Sequence, residues 1–302
     1  MPGKIVSLVN FKGGVGKTTL TVNLAACLAK EHDKKVLIVD LDPQSNSSIW
    51  LLGPALWSTM NKEGNFHQTS EAMFVGRITE DMFRTPFREP TGNFLPEFYL
   101  CPSTLNMLDL EEKILLFRSK RLLEQKYQRG DEYVLLGKAA QLLREKFDFV
   151  LIDCPPNLYL ATCNAFCQSD YILIPCIPDE LSTSGLKQMI ERMEKTIHPL
   201  LGRLKQVPRI MGVAITKLKG VNEHQLGLSI IESVLADFRN ADYHLVDESS
   251  VVFSEQPIRE YIVFAEAVSG GLPLCLYAPR TQAYNDVKAF TQAFLAAIER
   301  RQ

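Results

Sequence analysis

The run Lys12-Gly13-Gly14-Val15-Gly16-Lys17-Thr18-Thr19 constrains this chain more than any other stretch. An apolar segment, Lys4-Ile5-Val6-Ser7-Leu8-Val9-Asn10, precedes it and reads as a strand. The segment from Leu20 to Ala29 follows it and reads as an amphipathic helix. Glycines permit positive φ and let backbone N–H groups crowd around an oxyanion. Successive N–H groups form an anion nest, and the helix that follows adds the positive end of its dipole. Strand, glycine loop, Lys-Thr and helix in that order are the context of a phosphate-binding loop. Lys17 then supplies a full positive charge for the β- and γ-phosphates, and the Thr18 hydroxyl is placed to ligate Mg²⁺. The pattern G-x-x-x-x-G-K-[ST] is not met in full. It requires glycine at position 11, where the chain has Phe11, and a second lysine, Lys12, stands beside it.

Strand-like and helix-like stretches alternate along the rest of the chain. Val36–Asp40, 99–103, 147–153, Tyr171–Pro175 and Ile210–Thr216 are short apolar runs. Helical patterns cover 103–129, 133–146, 157–168, 182–200, 222–239 and 281–300. This alternation predicts an α/β fold: a doubly wound, mainly parallel sheet with helices on both faces, of the P-loop NTPase type. A single domain over 1–302 is expected. Residues 53–98 break the rhythm, rich in Gly, Pro, Asn and Thr, and read as an insertion or specialised loop region.

Two of the strands end in acids. Asp40-Leu41-Asp42-Pro43-Gln44 closes one, and Asp153-Cys154-Pro155-Pro156 closes another. Carboxylates at strand ends beside a phosphate loop suit nucleotide hydrolysis, one near Mg²⁺ and one near the attacking water. Either segment could also be an ordinary turn stabilised by Asp, Asn and Ser side chains.

Composition narrows the setting. In 302 residues, 46% are apolar and 23% charged, as in ordinary globular proteins. No apolar run approaches the ~18 residues of a membrane span. The first strand begins at once and position 2 is proline, so neither a signal peptide nor N-myristoylation is expected. The seven cysteines lack a disulfide-like framework and read as reduced core thiols in a cytoplasmic protein. Cys163 and Cys167 could form half a metal site, but small core residues are the simpler reading. With a net charge of −2, nucleic-acid binding requires a local patch. Residues 117–129 hold five basic residues against one acid, and a looser set runs through Lys187, Arg192, Lys195, Arg203, Lys205, Arg209, Lys217 and Lys219. A solvated helix face explains the first patch equally well. The last helix is amphipathic, with Val287, Phe290, Phe294, Leu295 and Ile298 placed as core residues.

The glycine run with its extra lysine resembles the deviant Walker A box of the ParA/MinD ATPases. Asp40-Leu41-Asp42-Pro43-Gln44 resembles their D-x-D-P-Q switch I, and Asp153-Cys154-Pro155-Pro156 their D-x-P-P switch II. Pro102-Ser103 resembles the family's PS turn, and Glu266–Pro273 its late EAPSxGxP segment. The resemblance covers most of 3–48 and 99–300 and is strongest to the small, Soj-like ParA branch. It implies a homodimer that sandwiches ATP and Mg²⁺, with Lys12 crossing to the nucleotide of the other subunit. Lys17 and the N–H groups of Gly13, Gly14, Val15, Gly16, Lys17, Thr18 and Thr19 are implied to hold the phosphates. Thr18 is implied to ligate Mg²⁺, with Asp40 and Asp153 behind its waters, while Asp42 orients the attacking water. Thr216 and Lys217 fall where the family contacts the base. Arg259 stands near the family's I-P-R arginine, although the neighbouring proline is displaced. The resemblance also implies slow, partner-stimulated hydrolysis, a ParB-like partner, non-specific DNA binding and nucleoid association in plasmid or chromosome partitioning. A MinD-like membrane-cycling ATPase, an iron–sulfur carrier of the same superfamily, and an ATP-gated adaptor without DNA binding remain open.

Overall fold

The computed structural model describes residues 2–62, 68–87, 95–241 and 243–301. Seven strands form one sheet: β1 (Lys4–Leu8), β2 (Val36–Asp40), β3 (Phe98–Cys101), β4 (Phe149–Asp153), β5 (Tyr171–Cys176), β6 (Arg209–Leu218) and β7 (Val251–Arg259). Their order is β3-β2-β4-β1-β5-β6-β7, and every pairing within it is parallel. Twelve α-helices accompany the sheet among the described residues. They are α1 (Lys17–His32), α2 (Asn46–Leu52), α3 (Pro54–Lys62), α4 (Leu110–Leu123), α5 (Gly137–Lys146), α6 (Leu160–Cys167), α7 (Glu180–Ser184), α8 (Leu186–Ile197), α9 (Asn222–Arg239), α10 (Ile262–Ser269), α11 (Leu274–Tyr277) and α12 (Gln282–Glu299).

Alternation along each strand builds two cores, because successive side chains point to opposite faces. Ile5, Leu37, Val39, Val150, Ile152, Ile172 and Ile174 face one side and pack with α4, α5, α6, α8 and α9. Val6, Leu8, Val36, Ile38, Leu151 and Leu173 face the other and pack with α1, α2, α11 and α12. Val287, Phe290, Phe294 and Ile298 of α12 are buried in that second core, as their spacing predicted, while Leu295 is half-buried. All seven cysteines are buried free thiols. No helix among the described residues is long and apolar enough to cross a membrane.

The strand register positions the site. Asp40 pairs directly with Asp153 across β2 and β4, and Leu8 at the end of β1 pairs with the same Asp153. The glycine loop therefore leaves the sheet beside both acids, at the carboxyl ends of the central strands, where ligands of such sheets bind.

Several expected elements differ in extent. The helix expected over 103–129 begins as a 3-10 turn at Leu105–Asp109, continues as α4 and stops at Leu123; Gln125 then takes a left-handed φ of 56°. The helix expected over 133–146 starts only at Gly137. The stretch 182–200 divides at Gly185 into α7 and α8 and ends in a 3-10 turn containing Pro199. Strand β7 was not anticipated. Pro257 and the polar residues around it hide its pattern, yet an edge strand tolerates a proline, and the register beside it is irregular. The described residues of 53–98 are more ordered than a loop reading implies. They contain α3 and two 3-10 helices, Ser70–Val75 and Glu80–Met82, and bury Met60, Met73, Met82 and Phe87. Within that region 63–67 and 88–94 lie outside the described residues.

Candidate functional site

Gly14 and Gly16 carry left-handed φ values of 77° and 82°, which side-chain-bearing residues adopt only under strain. Gly16 is also the residue on which α1 begins. Phe11, at the position where a glycine was expected, packs its half-buried ring onto the core. Asn10 anchors the loop by donating to the Pro175 carbonyl at 2.7 Å and accepting from the Lys12 N–H at 2.9 Å. The buried Thr216 hydroxyl donates to the Val15 carbonyl at 2.8 Å, so strand β6 supports the loop from below. A hydroxyl used in this way supports the geometry of the loop.

Lys17 is buried, and its Nζ donates to the carbonyls of Asn10 at 3.2 Å and Lys12 at 3.0 Å. Burial lowers its pKa, against the attraction of Asp153 and Asp42. Lys12 points elsewhere. Its Nζ lies 3.3 Å from Asp179 Oδ1 and 2.9 Å from Ser182 Oγ, at the start of α7.

The three acids are buried together. Asp40 Oδ2 accepts from the Ser48 N–H at 3.0 Å and the Ser48 hydroxyl at 2.6 Å, while Oδ1 accepts from the Asp42 N–H at 3.0 Å. Burial, and then the neighbouring Asp153, push the Asp40 carboxyl well above the usual range. Burial likewise raises Asp153 to about 6, although hydrogen bonds from Ser47 and Thr18 oppose the shift. Asp153 Oδ1 is buried without a hydrogen-bond partner, and a buried, unpaired carboxylate oxygen is costly. Burial raises Asp42 as well, against the Gln44 N–H and Lys17.

This donor set fits a magnesium ion. The orphaned Asp153 oxygen and the Thr18 hydroxyl are hard oxygen donors, and Mg²⁺ keeps most of its water and uses few protein carboxylates. No group of three or more His, Cys, Asp or Glu among the described residues forms an all-protein metal cage. Phosphate oxygens and water would therefore complete the shell.

Two cavities adjoin. One of about 600 Å³ is lined by Gly13, Gly14, Lys17, Thr18, Asp42 and Pro156. The second, of about 250 Å³, is lined by Asn23, Ile258, Arg259, Tyr261 and Phe264. Gly16, Thr19 and Lys217 border both. A charged, glycine-lined chamber thus opens into an apolar one with aromatic walls. Thr216 and Lys217 do fall at this second chamber, but Tyr261 and Phe264 were not foreseen. The only trace of them in the sequence is the aromatic pair flanking the start of α10. The guanidinium of Arg259 is held by Asp286 at 2.9 Å.

Three of the five basic residues in 117–129 stand in ion pairs. Arg118 pairs with Glu132 at 3.7 Å, Arg121 with Asp131 at 2.8 Å, and Lys126 with Glu124 at 3.2 Å. In the looser set Arg203 also pairs with Asp131, Arg209 with Asp247, and Lys219 with Glu260.

Comparison with known proteins identifies the family. A family model described as an AAA domain matches residues 3–205. The sporulation initiation inhibitor protein Soj of Bacillus subtilis (strain 168) is 30% identical over 280 residues, 93% of each chain. The chromosome partitioning protein ParA of Myxococcus xanthus (strain DK1622) is 28% identical over 276 residues, 91% of this chain and 82% of that protein. The structure of an ATP complex of McdA from Cyanothece superposes with a TM-score of 0.67 at 19% identity, covering 98% of this chain and 96% of the other. That likeness concerns the fold. Fold, phosphate loop and relatives together place this chain in the ParA/MinD superfamily of P-loop ATPases.

Proposed function

We propose that this chain, acting as one P-loop domain over 1–302, binds ATP with Mg²⁺ and hydrolyses it slowly as a positioning switch. The observation that carries the reading is the convergence of Lys17, Thr18, Asp40, Asp42 and the orphaned Asp153 oxygen at one end of the sheet. Phosphoryl transfer needs positioning and charge stabilisation more than covalent help. Lys17 and the N–H groups of Gly13–Thr19 hold the phosphates in this scheme. Thr18, with Asp40 and Asp153 behind water, would hold Mg²⁺, and the ion would supply positive charge beside the phosphates. Asp42 holds the attacking water in line. The base lies in the apolar chamber, against Tyr261 and Phe264 and beside Thr216 and Lys217.

The active form in this proposal is an ATP-bound homodimer in which Lys12 leaves Asp179 and reaches the partner's nucleotide. Three apolar side chains on loops and helix starts at this end of the sheet support a covered face. Tyr159 is 65%, Leu181 77% and Ile262 81% exposed. Exposed apolar groups clustered around a polar site mark interaction surfaces. The dimer then binds DNA through phosphate contacts, without sequence preference, and a ParB-like partner accelerates hydrolysis and release. In this reading the chain acts in plasmid or chromosome partitioning and associates with the nucleoid when ATP is bound. A MinD-like membrane role is less well supported, because the apolar face of α12 is already buried.

Size-exclusion chromatography with ATP or ADP, run beside gel shifts on random DNA at low and high salt, tests the proposal. Dimer and salt-sensitive shift with ATP alone are expected. A monomer under both nucleotides removes the sandwich, and an ATP dimer with no shift leaves an ATP-gated adaptor.

A further inference from the structure

A third cavity, of about 600 Å³, lies away from the nucleotide site, between the 3-10 helix Ser70–Val75 and helix α4. Its walls are apolar, with Phe74, Leu110, Ile114 and Phe117 among them, and its size is that of a ligand pocket. Glu71 lines it and is only 1% exposed. Glu71 Oε1 accepts from the Thr104 N–H at 3.1 Å and the Thr104 hydroxyl at 2.7 Å. Its Oε2 is buried and has no hydrogen-bond partner. Buried polar atoms in folded proteins are nearly always paired, so an orphan beside a cavity calls for a donor from outside. Lys113, Arg121 and Lys138 also line the cavity. Arg121 is already engaged by Asp131, whereas Lys138 is exposed. Val75 adds an apolar lip that is 60% exposed.

We propose that this cavity receives one aromatic side chain with an N–H or O–H donor, carried on an acidic segment of a partner protein. Trp and Tyr combine an apolar body with a polar tip that seeks a partner when buried, and they anchor protein interfaces. The body fills the apolar walls and the donor reaches Glu71 Oε2. Acidic neighbours in the segment meet the cations around the cavity. The site is also wired to the switch acids. Ser70, next to Glu71, donates its hydroxyl to the Asp40 carbonyl at 2.6 Å, and Ser103, next to Thr104, donates to the Asp42 carbonyl at 2.9 Å. An occupant therefore sits one residue from groups that hold both acids, and residues 70–75 gain a purpose that the ATPase reading leaves open.

The test uses the full chain without nucleotide, so its outcome is separate from that of the ATPase proposal. The probes are fluorescein-labelled pentapeptides Glu-Asp-Trp-Asp-Glu, the same peptide with Phe for Trp, and Lys-Lys-Trp-Lys-Lys, followed by anisotropy. Saturable binding of the acidic Trp peptide is expected, with the Phe peptide about tenfold weaker and the basic one weaker still. Glu71→Gln, which replaces the free acceptor by a donor, should erase the Trp-over-Phe preference. Lys138→Glu, an exposed change that leaves the core intact, should weaken the acidic peptide and carries the test should the Glu71 variant not fold. Absence of saturable binding up to about 1 mM, or binding unchanged in Lys138→Glu, overturns the proposal. Equal binding of unlabelled N-acetyl-tryptophanamide, in competition and regardless of charge, overturns the partner segment in favour of a small aromatic ligand.

Discussion

Lys12 Nζ lies 3.3 Å from Asp179 Oδ1, within the same chain and 167 residues away in sequence. The lysine that the dimer proposal sends across to a second subunit is thus held at home, with Ser182 as its other acceptor. Both side chains are partly exposed, at 35% and 24%, so the pair contributes little by itself, on the order of 1 kcal/mol or less.

Releasing that lysine should favour the dimer. Asn replaces Asp at a helix N-cap without loss of capping, so Asp179→Asn should leave α7 in place while removing the charge that holds Lys12. Sedimentation velocity with ATP should show dimerisation at protein concentrations up to about fivefold lower than wild type. An unchanged or weakened dimer would show that Asp179 does not restrain Lys12.

The phosphate loop and the water-positioning acid should separate in their effects. Lys17→Ala should abolish ATP binding measured by calorimetry, because it removes the buried charge beneath the phosphates. Asp42→Ala should still bind ATP and dimerise, with turnover reduced by about 100-fold or more. Wild-type turnover in Asp42→Ala would take that residue out of its assigned role.

Asp153 sets stability against function. It pairs in register with Asp40 and buries an unsatisfied oxygen, so the nucleotide-free protein carries two crowded carboxylates. Asp153→Asn should raise the melting temperature of the nucleotide-free chain, by an amount corresponding to about 1–3 kcal/mol. The same variant should need more Mg²⁺ for hydrolysis. A lower melting temperature, measured in EDTA, would mean that the carboxylate stabilises the empty site.

Acid should undo a tie far from the nucleotide. Asp131 receives Arg121 at 2.8 Å and Arg203 at 2.6 Å. Burial works to raise its carboxyl, but the Gln128 N–H and the two guanidinium groups outweigh burial and hold it below the usual range. A pKa lowered by folding adds stability that is complete above the unfolded value, about 3.9, and lost as the pH falls through the folded value. The melting temperature of wild type should exceed that of Asp131→Asn at pH 7, and the gap should close progressively below about pH 4. A gap that stays constant with pH would exclude the ion pairs as its source.

Local features were legible because their causes are local. Gly14 and Gly16 adopt positive φ for want of a Cβ, and the strand and helix around them follow from short-range periodicity. The β-branched run Val36–Asp40 gave its strand limits to the residue. Where a pattern was broken, the reading failed. Pro257 concealed β7, and the short helices Ser70–Val75 and Glu80–Met82 have no amphipathic repeat long enough to register.

What the amino-acid order by itself determined is the chemistry: a phosphate loop, a lysine at 17, acids at 40, 42 and 153, and strands apolar enough to be buried in a parallel sheet. Only the tertiary structure decided who meets whom. It set Asp40 beside Asp153 through strand register, spent the Thr216 hydroxyl on Val15, walled the second chamber with Tyr261 and Phe264, and gave Lys12 to Asp179. The paired residues among these stand between 113 and 201 positions apart in sequence and meet only in the folded chain. No short-range propensity encodes them, because they arise from the packing of whole elements at the carboxyl edge of one sheet.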